Sequence, residues 1–80
     1  MISLNPADGA TFHAMIEEMP DGMWRASGLA RLDEKSQVQE QTLGMEMCPT
    51  ELTARAWVNR VGALQGFKSC KLEVRRQVRQ

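Results

Sequence analysis

At 80 residues, 42% hydrophobic and 25% charged, with a formal net charge of zero, the chain has the size and balance of one folded domain. That composition argues against intrinsic disorder, and no apolar run approaches the ~18 residues of a membrane-spanning helix. The zero is a cancellation: through Glu51 there are nine acids against three bases, and after it one acid, Glu73, against seven bases.

Residues 1–10, "MISLNPADGA", hold Asn-Pro and Asp-Gly breakers and read as a lead-in loop with a short edge strand at Ile2 to Leu4. In "TFHAMIEEM", residues 11–19, the apolar spacing fits two structures. Phe12, Met15, Ile16 and Met19 would line a helix face, and Phe12, Ala14 and Ile16 would line a strand. The following "MPDGM" favours the strand, because Pro-Asp-Gly between two apolar-containing runs is a hairpin turn: Pro presets φ and Gly takes the left-handed position. "GMWRASGLARL" then alternates, with Trp24, Ala26, Ala30 and Leu32 on one side and Met23, Arg25, Ser27, Leu29 and Arg31 on the other.

"DEKS", residues 33–36, is a polar turn into a further alternating run, "VQEQTLGMEM". Its phase puts Leu43, Met45 and Met47 inward and Glu40, Thr42 and Glu46 outward. Gly28 and Gly44, one in each strand, mark bulges or close packing under a large neighbour. A helix is expected over Pro49–Leu64, with Pro49 at the first helical position and Glu51 near the positive end of the helix dipole. Ala54, Trp57, Val58, Val61 and Leu64 form its core stripe, Leu52 falls on the outer face, and Gly66 is the stop. In "FKSCKLEVRR", Cys70, Leu72 and Val74 alternate with Lys71, Glu73 and Arg75 as a last strand; residues 76–80 are expected to fray.

The order β-β-β-α-β predicts an α+β fold: a single two-layer domain over 1–80 in which a mostly antiparallel sheet of about four strands packs on one helix, anchored by Trp24 and Trp57.

The residues carry no catalytic constellation. His13, Cys48 and Cys70 match no zinc-ligand spacing and a structural site wants four ligands, so no metal or cofactor is expected. Cys48, near the helix start, could have a lowered pKa, but nothing nearby looks like a base. Glu17 and Glu18 point to opposite faces of a strand and cannot act as a pair. Gly-rich phosphate loops are absent. The expectation is a non-enzymatic binding module. No basic segment followed by an apolar block marks a secretory signal, and two cysteines are too few for a disulfide framework, so reduced thiols in a cytoplasm are expected.

Two surfaces are candidates. The open sheet face carries Met15, Met23 and Leu29 beside Glu40 and Glu46, with Asp33 and Glu34 at the nearby turn to steer a basic partner. The other is basic: Arg55 and Arg60 on the helix with Lys71, Arg75 and Arg76 beyond it, a footprint that could meet phosphates. No aromatic interleaves these bases and the pI is about 6.6, so direct nucleic-acid binding is the secondary reading. A homodimer through the Met-rich sheet face, or a self-associating structural subunit, is a further alternative to a monomer.

With its strand running through the short polar joint "MCPTEL" into an amphipathic helix, the β-β-β-α-β architecture is similar to that of small phage and mobile-element proteins, and among these it resembles some anti-CRISPR inhibitors. The resemblance spans the whole chain as architecture and rests on no shared diagnostic residue. It implies an inhibitor that docks on a nucleic-acid-handling complex, such as a CRISPR effector, and blocks its action.

Overall fold

The computed structural model describes residue 4 and residues 6–34 and 37–78. Strands β1 (Thr11–Glu18), β2 (Trp24–Glu34) and β3 (Gln37–Cys48), helix α1 (Glu51–Leu64) and strand β4 (Lys71–Arg75) follow one another along the chain. The four strands form one sheet in the order β3-β2-β1-β4. β1 is antiparallel to β2, β2 is antiparallel to β3, and β4 is parallel to β1. This is the expected α+β architecture with a mixed sheet. A parallel neighbour requires a long crossover, and α1 with its flanking turns is that crossover.

Residues 11–18 are strand rather than helix because burial alternates: Phe12, Ala14 and Ile16 are buried, while His13, Met15 and Glu17 are only half-buried. The turn into β2 is the Pro-Asp-Gly turn expected. The Met19 N–H donates to the Met23 carbonyl at 2.7 Å, the Met23 N–H donates to Asp21 Oδ1 at 2.9 Å, and Gly22 takes φ 89°.

Thr50, not Pro49, starts the helix. Its Oγ1 accepts the Thr53 N–H at 3.1 Å while its own N–H donates to Thr53 Oγ1 at 3.1 Å. This reciprocal capping box satisfies two amides that the first turn leaves orphaned, and it displaces Pro49 to the position before the cap. Ala54, Trp57, Val58 and Gly62 are buried, with Val61 packed beside them. Leu64, expected on this stripe, is 77% exposed, at the C-terminal end of the helix. The chain then turns at Gly66 and brings Phe67 back over Phe12, with ring centroids 5.6 Å apart.

Phe12 is the centre of the layer contact. A Cβ built on Gly28 would lie 2.7 Å from its ring, and one on Gly62 would lie 2.9 Å from it, so the aromatic ring fits only because both flanking residues are glycines. Both tryptophans are buried in the same cluster, as expected.

The two ends differ from expectation. In the lead-in, Pro6–Asp8 form a turn of 3-10 helix, and Leu4 and Ala10 are buried against Ala30 in a second small cluster. Leu4 is not in a strand, and Ile2 and Ser3 lie outside the described residues. At the other end Arg76 and Gln77 are docked instead of frayed. Arg76 bonds Glu51 at 2.8 and 2.9 Å and stacks over Trp24 at 6.0 Å, while the Gln77 N–H donates to Glu18 Oε1 at 3.0 Å. Arg79 and Gln80 lie outside the described residues.

Candidate partner-binding surface

The helix covers one face of the sheet and leaves the other open. Register sorts the open face into rows, because residues paired across neighbouring strands project to the same side. One row is Met47, Arg25, Glu17 and Arg75; the next is Met45, Ser27, Met15 and Glu73. The third is Thr42, Leu29, His13 and Lys71, and the fourth is Glu40, Arg31 and Thr11. Met15, Leu29 and Glu40 therefore share the open face, as the strand phases imply. Met23 precedes β2 at the turn end of that face and is half-buried.

Three residues of β3 sit opposite to expectation. Met45 and Met47 project outward, 61% and 42% exposed, and Glu46 lies on the helix side, 3.9 Å from Arg60. The cause is a β-bulge. Gly28 pairs with Gly44 and Leu29 pairs with Thr42, which leaves Leu43 as an extra residue. Leu43 packs on the core, and a side chain on Gly44 would meet Trp57 at 3.3 Å, so both point inward and the alternation beyond them inverts. The bulge removes Glu46 from the candidate surface and adds Met45 and Met47 to it.

At the middle of this face the small residues Ser27 and Gly28 form the floor of a trough of about 500 Å³, flanked by Met15, Leu29, His13 and Thr42 and reaching Lys71 on β4. His13 shares a hydrogen bond with Thr11 Oγ1 at 2.9 Å. Ion pairs edge the apolar centre: Arg25 with Glu17, Arg31 with Asp33 at 3.1 Å, and Arg75 with Glu73. Beyond Arg31, which pairs with the first residue of β1, the strands β2 and β3 continue alone as a two-stranded arm. The molecule is accordingly elongated, 44 × 26 × 21 Å. Asp33, Glu34 and Glu40 are exposed on this arm or at its base, so the acidic candidates do cluster, apart from Glu46.

The basic candidates do not form one patch. Arg55 and Arg76 converge on Glu51 beside the helix start, and Arg60 reaches Glu46. Lys71 and Arg75 lie on the opposite layer, on the open sheet face. The Arg55 hydrogen bond is the main influence holding the Glu51 carboxyl below its ordinary value; Arg76 adds to it, and desolvation opposes both. Lys71 and Arg75 are also far from Glu46, because β4 and β3 occupy opposite edges of the sheet.

Cys48 is not the activated thiol its place near the helix start suggested. It is buried, and its thiol is pushed up chiefly by that burial and secondarily by Glu46, against an opposing influence from Arg60. Cys70 falls just before β4, not within it, and is exposed.

No described helix is long and apolar enough to cross a membrane. Compared with protein-family models, with curated proteins and with solved structures, the chain matches none.

Proposed function

We propose that this chain is a non-enzymatic binding module that docks on a partner protein through the open face of its sheet. The observation that carries this reading is the convergence of Met15, Leu29, Met45 and Met47 on a face the helix leaves uncovered. An apolar centre of adaptable methionines edged by charged pairs has the anatomy of a non-obligate protein interface. The arm supplies direction: Glu34 and Glu40 offer negative charge to a basic surface, with Asp33 already paired to Arg31, and such steering raises the rate of encounter more than the final affinity. A basic surface is what a protein uses to hold nucleic acid. The reading is therefore an inhibitor that occupies such a surface on a nucleic-acid-handling complex, the partner class implied by the anti-CRISPR resemblance.

The test is direct binding of the purified chain to purified CRISPR effector complexes, with and without their nucleic acid. Binding that competes with nucleic acid and is lost in M15D supports the reading. No binding, or binding indifferent to M15D in a folded variant, refutes it. Direct nucleic-acid binding is less well supported, because four of the five candidate bases on the alternative surface are engaged by Glu46, Glu51 or Glu73.

A further inference from the structure

The two edges of the sheet differ in chemistry. β3 forms one edge and β4 the other, and among the described residues no backbone bond from another segment reaches the outer side of either. Natural edge strands are protected by brevity, lysines, proline or bulges. β4 has the first two protections: it is five residues long and carries Lys71 and Arg75 around Glu73. β3 has its bulge and two carboxylates but neither brevity nor a lysine. It runs for twelve residues without a Lys, an Arg or a Pro, and it exposes Val38, Met45 and Met47. Its charges are Glu40 and Glu46, so no register of β3 against a second β3 brings opposite charges together.

We infer that the chain associates head to tail with further copies of itself, the outer edge of β3 in one copy pairing with the outer edge of β4 in the next. Strand direction permits this by simple repetition. β3 and β1 are both antiparallel to β2, and β4 is parallel to β1, so β3 and β4 run the same way. A neighbour displaced within the sheet plane sets them side by side as a parallel pair. Glu40 and Lys71 are both on the open face, and Lys71 lies in the row of Thr42, the residue next to Glu40 on that face. A stagger of one such step places the Lys71 ammonium opposite the Glu40 carboxylate. Leu72, 36% exposed on β4, gains apolar cover in the same pairing. The acidic and basic halves of the sequence thereby acquire an intermolecular meaning, since they furnish opposite rims of one sheet.

Such a contact is heterologous, and repeated by in-plane displacement it propagates instead of closing on itself. With only five residues of β4 available it is a small interface and therefore a weak one. It leaves the apolar centres of the open faces of successive copies side by side and uncovered, so docking through Met15 can be read apart from it even though Glu40 takes part in both.

Sedimentation velocity on the full chain tests this, over a dilution series at about 20 mM and about 500 mM salt, where exposed charges are weakly and strongly screened. The average mass is expected to rise with concentration at low salt and to fall back towards the monomer at high salt. E40K and K71E, both at exposed positions, should each weaken association by about tenfold, since an attractive cross-strand pair becomes a repulsive one. An equimolar mixture of the two variants should regain mass, because each junction between unlike copies is again complementary. M15D lies at the centre of the sheet, away from both edges, and should assemble like the unaltered chain even while it loses a docked partner. A monomer at every concentration in low salt overturns the inference. So does assembly that survives in both E40K and K71E, which would put the contact elsewhere.

Discussion

The ring of Phe12 occupies the space that a side chain at Gly62 would need: a Cβ there would stand 2.9 Å from it. Sheet and helix therefore meet at a glycine, and the identity of residue 62 is set by an aromatic residue fifty positions earlier. In an exposed helix, Gly62→Ala would stabilise by about 1 kcal/mol through propensity. Here that gain should be cancelled or reversed, to a net loss of up to about 2 kcal/mol, because overpacking a core costs about 1–3 kcal/mol. Urea unfolding measures it. Gly28→Ala, with its Cβ 2.7 Å from the same ring, should cost more. Phe12→Leu should relieve part of either penalty, giving a non-additive double mutant. Stabilisation by G62A would show that the ring moves freely.

The bulge at Leu43 makes opposite statements about neighbouring residues. Met45→Asp and Met47→Asp face solvent and should change stability by no more than about 0.5 kcal/mol, as surface substitutions do. Leu43→Asp places a carboxylate against both core clusters and should cost several-fold more. Thermal unfolding of the three variants distinguishes the inverted phase from an unbroken alternation, under which M45D would be as damaging as L43D.

The clamp at the helix start is pH-dependent. Because Arg55 and Arg76 depress the folded-state pKa of Glu51, the unfolded chain binds more protons over the interval between that value and the ordinary 4.5. The contribution is complete above 4.5 and is lost as pH falls through the lower folded value. Unfolding midpoints measured from neutral to acid pH should fall less steeply for E51Q than for the unaltered chain. Since Arg76 also lies over the Trp24 ring, R76A should shift tryptophan emission, with the fold retained in circular dichroism.

The thiols should separate kinetically. Cys70 is exposed and should react with an aromatic disulfide reagent in a first phase, whereas Cys48 is buried and should react only as the domain opens. Both thiols are held above their ordinary value with desolvation as the leading cause, so neither should display the fast reaction of an activated thiolate at neutral pH. Two equal fast phases would contradict the burial of Cys48.

What the sequence revealed followed from local periodicity. Alternation located β1, β2 and β4, the Pro-Asp-Gly turn chose strand over helix at residues 11–18, and the stripe of Ala54, Trp57 and Val58 defined the buried side of α1. What escaped it depended on partners distant in the chain. Gly44 was visible as an irregularity, but the inversion it accompanies exists only because Gly44 pairs with Gly28 and Thr42 with Leu29. Hence unbroken alternation puts Glu46 on the wrong face and hides Met45 and Met47 from the surface. The docking of Arg76 on Glu51 and of Gln77 on Glu18 likewise joins positions that no short window contains together. The position of Thr50 was locally readable: Thr-x-x-Thr supplies a reciprocal cap that outcompetes the preference of Pro for a first helical turn.

The parallel pairing of β4 with β1 also bears on how the nascent chain matures. The strand that completes the sheet is encoded last, so the three-stranded meander leaves the ribosome with one side of β1 unpaired and Phe12 and Ile16 uncovered. Until the helix and the terminal strand follow, that intermediate is open to mispairing with other newly made chains. Truncation before Lys71 would keep the helix over Phe12 but leave that side of β1 permanently unpaired, and aggregation in the cell should report it.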